Sequence, residues 1–315
     1  MISNIKKCKI CNNELTKYLE KIRDYSDRDF KTEYSITYCD NCELGFSLPE
    51  MTCQELDSFY PQDYKPHSGK RGIKRIIFNF FTDKKIKAIN KAMSSNNGHL
   101  YEIGAGSGAF LNRAKEYGFV VNGVDASPNS VKTAKDLFNI ELQQGYANDV
   151  HFLNQYNVVA MLHVLEHINA TDTIKLLSEI YKNGLCEGGL LYIEIPIIDC
   201  KYAHIFGRFY SHLDMPRHRT HYTKKGLITI LERVGFKVVS VNKKKLYSSV
   251  LYSSLINYAN DERVEKPLLR KLINYVPSLL MQMCCTLHSV LTWRNSETSI
   301  SVIAMKKASE NGICI

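Results

Sequence analysis

Between residues 99 and 244 the chain alternates short apolar runs with amphipathic stretches, the pattern of strands separated by helices. HLYEI (99–103) predicts a strand that ends in a glycine loop, and GAFLNRAKEYG (108–118) predicts the following helix, closed by Gly118. FVVNGVD (119–125) predicts a second strand ending in an acid. SPNSVKTAKDLF (127–138) predicts a helix with Ser127 as N-cap and Pro128 in its first turn. YNVVAML (156–162) reads as a buried strand, TDTIKLLSEIYKNG (171–184) as a helix capped at Thr171, and GGLLYIEIP (188–196) as a strand stopped by Pro196. TKKGLITILERVG (223–235) sits between a threonine cap and a glycine stop. FKVVSVNKK (236–244) and TSISVIAMKK (298–307) predict the last strands. This order implies an α/β fold with a parallel sheet covered by helices on both faces.

Ahead of this region the pattern changes. CKIC (8–11) and CDNC (39–42) are two Cys-x-x-Cys pairs separated by 27 residues, with the strand-like YSITYC running into the second. Four thiolates at this spacing predict a closed tetrahedral zinc site of Cys8, Cys11, Cys39 and Cys42. With every ligand position filled by sulfur, the metal is expected to be structural, and the ribbon around it to depend on metal for folding. Cys53, Cys186, Cys200, Cys284, Cys285 and Cys314 lack such spacing and read as ordinary thiols.

The loop LYEIGAGSGAF (100–110) has two parses. Gly104-x-Gly106-x-x-Ala109 matches a dinucleotide fingerprint, and Glu102-x-Gly104-x-Gly106-x-Gly108 matches a loop for S-adenosylmethionine. Asp125, at the end of the second strand, suits ribose hydroxyls in either. The helix–strand–long insert–strand ending separates them. It suits the antiparallel hairpin that closes a methyltransferase sheet, and a second mononucleotide-binding half is not evident.

The motifs EIGAGSG (102–108), GVDAS (123–127), HVLEHI (163–168), LCEGGLLYIEIP (185–196) and LDMPRHRTHYTKKGLITILERVGF (213–236) together resemble the class I S-adenosylmethionine-dependent methyltransferases. With the four-cysteine knuckle in front, the chain is similar to the bacterial branch that serves polysaccharide, sugar and natural-product pathways. The resemblance implies a Rossmann-like seven-stranded sheet with the last strand antiparallel, a small N-terminal zinc ribbon, and a helical insert before the last strand. It implies that Glu102 and the backbone of Gly104, Ala105, Gly106 and Gly108 face the methionine part of the cofactor. Asp125 would hold the ribose, with Ala126 and Ser127 beside the adenine. Ala147 and Asn148 fall where the family contacts the adenine ring, and Leu162 and His163 end the strand beneath the cofactor.

Methyl transfer from a sulfonium is an in-line displacement, so a hydroxyl acceptor needs alignment and a base. Six of the ten histidines lie between 163 and 221. SHLDMPRHRTHYT (211–223) gathers Asp214, Arg217, His218 and His221 in what the family uses as a lid over the acceptor. His218 is the first candidate base, His167 the second and His221 the third. Asp214 could orient an imidazole, and Arg217 could hold a phosphate or carboxylate of the acceptor. Glu166 and His167 could bind a divalent ion, but two neighbours do not make a site.

These readings divide the 315 residues into a zinc ribbon (1–64), a basic amphipathic linker (65–98), a methyltransferase core (99–246), a helical insert (247–297) and the last strand with its tail (298–315). The net charge of +9 is uneven: residues 99–200 carry six basic and twelve acidic groups, and 201–315 carry eighteen and seven. KRGIKRIIFNFFTDKKIKAINKAM (70–93) puts Ile73, Ile76, Ile77, Phe80 and Phe81 on one face among lysines and arginines, suited to the sheet domain or to an anionic bilayer. Tyr275–Trp293 runs 19 residues without a charge, yet its polar content makes it a poor spanning segment; acceptor cover, dimer interface and membrane surface stay open. Met1–Lys9 is polar and charged, so no secretory leader is expected, and cysteine usage points to a reducing cytoplasm, with peripheral contact at the inner membrane face open. The leading function is methyl transfer to oxygen of a small-molecule or glycan acceptor, lipid- or nucleotide-linked. An RNA methyltransferase gripping phosphates through the zinc ribbon is an alternative, though no Asn-Pro-Pro-Tyr-like motif follows the fourth strand and no nucleic-acid partner is expected. A carbon-methylating sugar enzyme and a binding module that has lost the reaction are the others.

Overall fold

The computed structural model describes residues 6–26, 32–52, 55–56, 58–59, 73–93, 97–245, 248–264, 273, 275, 278–291 and 297–307. Cys53, Cys314, residues 65–72 of the basic segment, parts of the 247–297 insert and the tail beyond 307 lie outside the described residues. Two compact units divide the chain. One gathers Met1–Phe59, Pro196–Leu227 and Asn242–Ile300, and the other Tyr60–Ile195, Ile228–Val241 and Ser301–Ile315. We call them the cysteine unit and the sheet unit.

The cysteine unit holds a four-stranded antiparallel sheet of β1 (Thr16–Ile22), β2 (Tyr34–Cys39), β3 (Leu44–Leu48) and β9 (Thr220–Tyr222), in the order β1-β2-β3-β9. The β2–β3 hairpin pairs Cys39 with Leu44, so its turn carries the second Cys-x-x-Cys pair. Strand β9 comes from the segment read as an acceptor lid. Its pairing of Gly45 with His221 is close, because a Cβ on Gly45 would come within 3.1 Å of the His221 Cβ. The same unit contains α5 (Lys201–Phe206), α7 (Ser248–Asn260) and α8 (Ser278–Leu291).

The seven-stranded sheet runs β10-β11-β8-β7-β4-β5-β6. Its members are β4 (His99–Ile103), β5 (Val120–Asp125), β6 (Gln143–Gln144), β7 (Tyr156–Leu162), β8 (Leu185–Pro196), β10 (Lys237–Lys245) and β11 (Glu297–Met305). Strands β8, β7, β4, β5 and β6 are parallel. Strand β11 is antiparallel to β8: Lys306 bonds to Gly189 near the start of β8, and Thr298 to Ile197 just past its end. The fold is the Rossmann-like methyltransferase sheet with its antiparallel finish. Helices α2 (Ala109–Glu116), α3 (Pro128–Phe138), α4 (Ala170–Glu179) and α6 (Lys224–Val234) fall where the periodicity puts them. Ser127 caps α3, accepting from Ser130 N–H at 3.4 Å, and Gly235 ends α6 at φ +116. One cap differs. Asn169, not Thr171, starts α4, because its side chain accepts the amide of Asp172 at 2.9 Å and donates back to that residue's carboxylate at 2.8 Å.

Helix α1 (Ile73–Ala92) changes character along its length. Ile86 and Ile89 are fully buried against Leu100, Leu111 and Val158, and each contributes about 1.5–3 kcal/mol of apolar burial. Ile76, Ile77, Phe80 and Phe81, roughly one to three turns earlier, stay 45–69% exposed.

Candidate active site

The loop after β4 is shaped by its glycines. Gly104 lies at φ +69, and a Cβ there would strike Val164 at 2.4 Å; Gly106 lies at φ +53 with nothing within 4 Å of its missing Cβ. The amides of Gly104 and Ala105 donate to the Val124 carbonyl at 2.8 and 3.0 Å, which pulls the loop onto the end of β5. There Asp125 accepts the Gly106 amide through Oδ2 at 2.7 Å and the Ser127 amide through Oδ1 at 2.9 Å. Each carboxylate oxygen keeps capacity for a second donor. Ala126 is exposed next to it, and Ala147 and Asn148 form the short turn Ala147–Asp149 beyond β6, with Asn148 exposed.

Acids gather at the strand ends. Glu102 is 3% exposed, and its Oε2 meets no hydrogen-bond partner among the described residues. Burial, then repulsion from Asp125, holds its carboxyl well above the usual range against the pull of Lys85. Glu194, on β8, is buried and bonded to Lys85 Nζ from α1 at 2.9 Å and to the Tyr192 hydroxyl at 3.2 Å. His163, at the end of β7, has φ 58, outside the range most residues occupy, and its amide is tied to the Glu194 carbonyl at 2.8 Å. Its ring reaches Glu166 at 3.3 Å through Nδ1 and Glu194 at 3.6 Å through Nε2. Enclosure pulls the imidazole down, but the two carboxylates outweigh it and raise it to about 9. The side chain is 44% exposed, so solvent tempers that pull, and its upward direction is what the geometry secures. Leu162 is half-buried beside it, and His167 follows in the short turn Leu165–His167. Lys85 and Glu194 were not read as site residues; the only hint in sequence was an acid inside the apolar run of β8.

The other predicted residues belong to the cysteine unit. Arg217 is buried and bonded to Asp214 at 2.7 Å and to Asp24 at 3.0 Å, so its charge is already matched by two carboxylates. His221 is 3% exposed, with Nε2 2.9 Å from Ser47 Oγ, while Ser47 donates to the His218 carbonyl at 2.7 Å. His221 thus braces β9 against β3. His218 Nδ1 donates to the His212 carbonyl at 2.8 Å, which fixes the tautomer and makes Nε2 its basic atom. Asp214, 3.9 Å from that nitrogen, is beyond hydrogen-bond reach.

The four cysteines converge. Cys8 and Cys42 sulfurs are 3.9 Å apart, Cys11 and Cys39 3.5 Å, and all four lie within 4.8 Å of one another. A tetrahedron with Zn–S bonds of about 2.3 Å has edges of about 3.8 Å, so the group fits the ion. Amides of Ile10 and Cys42 point at Cys8 and Cys39 sulfurs at 3.4 Å, which further stabilises thiolates.

Residues 75–241 match the family described as "Methyltransferase domain". An "Uncharacterized methyltransferase" of Staphylococcus carnosus (strain TM300) is 22% identical over 123 residues, covering 39% of this chain and 59% of that protein's length. A SAM dependent methyltransferase from Archaeoglobus fulgidus is similar in structure at 19% identity, covering 74% of this chain and 94% of that one, with a TM-score of 0.49. Coclaurine N-methyltransferase bound to N-methylheliamine and SAH aligns at 17% identity over 77% of this chain and 76% of that one, TM-score 0.47. The family match takes in more than half of the chain, from α1 through the glycine loop, Asp125 and the His163 turn to β10, and the chain belongs to the methyltransferase domain family.

Proposed function

We propose that the protein transfers a methyl group from S-adenosylmethionine to a hydroxyl of a small-molecule or glycan acceptor. One observation carries the choice of cofactor: the buried Oε2 of Glu102, without a partner among the described residues, beside Asp125 at strand ends rich in acids. A pyrophosphate-bearing dinucleotide would meet repulsion there, whereas a cofactor with an ammonium and a sulfonium supplies the missing donor and positive charge. When bound, that cofactor presents a methyl group on a good leaving group. The chain's part is to hold and align. Glu102 accepts from the ammonium, the open backbone at Gly106 allows close approach, and Asp125 accepts from ribose hydroxyls with its remaining lone pairs.

The acceptor's proton goes to a histidine, for which His218 has the better-defined basic nitrogen and His167 is the alternative. The variants His218→Gln and His167→Gln decide between them, since only loss of the true base removes the acidic limb of the pH–rate profile, where protonation of that base shuts off the rate. The four cysteines hold a structural zinc ion. Titration with S-adenosylhomocysteine, with NAD as control, tests the proposal. Binding of the first and not the second is expected; the reverse overturns it.

A second element of the reading is peripheral contact with an anionic membrane, which suits a lipid-linked acceptor. It is favoured by the exposed Ile76, Ile77, Phe80 and Phe81 on α1, with exposed Lys84, Lys87 and Lys91 farther along that helix. Among the described residues no helix is long and apolar enough to cross a membrane.

A further inference from the structure

The cysteine unit contains a cavity of about 340 Å³, within the range of small-molecule sites and lined in part by α7 and the segment before β9. Three arginines reach it. Arg217 is matched by Asp24 and Asp214, and Arg23 lies 3.4 Å from Glu262. Arg208 differs. It has no carboxylate partner among the described residues, and its guanidinium rests 4.9 Å from the Phe209 ring centre.

The nearby acids cannot serve it. Asp261 is taken by Arg263 at 2.5 Å and by the Tyr25 hydroxyl at 2.9 Å, and Asp214, the acid in the wall, is held by Arg217. A guanidinium that lines a cavity with no carboxylate partner leaves its N–H groups available to an anion that a ligand supplies. The rest of the wall describes that ligand. The hydroxyls of Tyr252 and Ser253 make no hydrogen bond among the described residues. Asn257 spends its amide N–H on the Phe209 carbonyl at 3.2 Å, leaving its oxygen as an acceptor. Ile22 and Ile256 add apolar surface for the C–H face of a ring.

We propose that this cavity binds a phosphate ester of a hydroxylated small molecule, a sugar phosphate by chemical class, with Arg208 holding the phosphate and Tyr252, Ser253 and Asn257 reading hydroxyls. The methyl-transfer reading calls for an acceptor of this chemical class, and that link rests on that reading; the binding itself does not. Free, nucleotide-linked and lipid-linked sugars share this chemistry.

Calorimetric titration of the full-length zinc-loaded protein tests it, with glucose 1-phosphate, UDP-glucose, a short-chain prenyl-phosphate glucose, inorganic phosphate and glucose as probes. At least one phosphorylated sugar binds, about tenfold or more tighter than glucose and than inorganic phosphate, and the tightest names the source. Arg208→Gln weakens it about tenfold to a hundredfold, as loss of charged hydrogen bonds implies. Ser253→Asp weakens it similarly by repulsion, so the result does not hang on one variant. Affinity for S-adenosylhomocysteine is unchanged in both, which shows that they fold. Equal binding of glucose and glucose 1-phosphate, phosphate binding as tight as the ester, indifference to both substitutions, or silence toward every probe overturns the proposal. Silence of the wild type toward S-adenosylhomocysteine defeats the methyl-transfer reading instead and leaves the cavity's result standing.

Discussion

Lys85 Nζ lies 2.9 Å from Glu194 Oε2, joining helix α1 to the end of strand β8. The lysine side chain is 15% exposed and the glutamate 1%. Removing one partner strands a buried charge, so Lys85→Met is expected to destabilise the fold by about 3 kcal/mol, whereas the exposed Lys87→Met changes it by less than about 0.5 kcal/mol. Urea unfolding followed by circular dichroism reads both, and equal midpoints for the two variants would refute the coupling.

Glu194 and Glu166 also set the charge of His163. An imidazole raised from an unfolded value of about 6.5 to about 9 contributes stability fully present below pH 6.5 and lost as pH climbs through 9. The wild type should lose stability over that window relative to His163→Gln. In histidine-resolved NMR titration, Glu194→Gln should move the His163 midpoint down by about one unit or more, toward the ordinary range. A midpoint indifferent to Glu194→Gln would show that this pair does not govern it.

Asp125 is expected to be the most sensitive position for the cofactor. Asp125→Asn keeps the shape but turns an amide N–H₂ toward one of the two backbone donors and removes a charged acceptor. Affinity for S-adenosylhomocysteine should fall about tenfold to a hundredfold in calorimetry. Undiminished affinity would remove Asp125 from the site.

Zinc content follows the cysteine group. The purified protein should hold one equivalent of zinc by elemental analysis. Cys39→Ser should lose it and unfold at lower temperature, while Cys186→Ser, buried in the sheet unit, should keep it. Cobalt in place of zinc should give the intense visible bands of tetrahedral thiolate ligation. Zinc retained in Cys39→Ser would dissolve the assignment.

The exposed apolar half of α1 makes a membrane prediction. The protein should co-sediment with vesicles containing anionic lipid and much less with neutral ones. The double substitution Ile76→Ser and Phe80→Ser should abolish the association without altering the unfolding midpoint, because neither side chain is in the core. Wild-type indifference to anionic vesicles would retire the idea.

Most strands and helices of the seven-stranded sheet were legible because their signals are local: YNVVAML became β7 and SPNSVKTAKDLF became α3 with its serine cap. The two-residue β6 was too short to leave a pattern. Asn169 took the cap from Thr171 because the choice rests on which side chain reaches an amide three residues on, a matter of local geometry. The lysine on α1 and the acid on β8 are more than a hundred positions apart, and no periodicity links them. The same holds for Arg217 with Asp24, where a residue chosen for chemistry turned out to be held by carboxylates.

The pairing of β3 with β9 has a consequence for biosynthesis. Leu44–Leu48 is buried at every position, yet the strand that covers its second edge does not leave the ribosome until Thr220–Tyr222 have been made. Until then a nascent chain carries an apolar strand with one open edge, a template for mispairing with its neighbours. The four thiolates are complete by Cys42, so metal capture can pin the hairpin at once while the edge waits. Truncations ending before Thr220 should therefore aggregate even when zinc is supplied, and the protein's yield in cells should depend on how fast translation crosses those intervening residues.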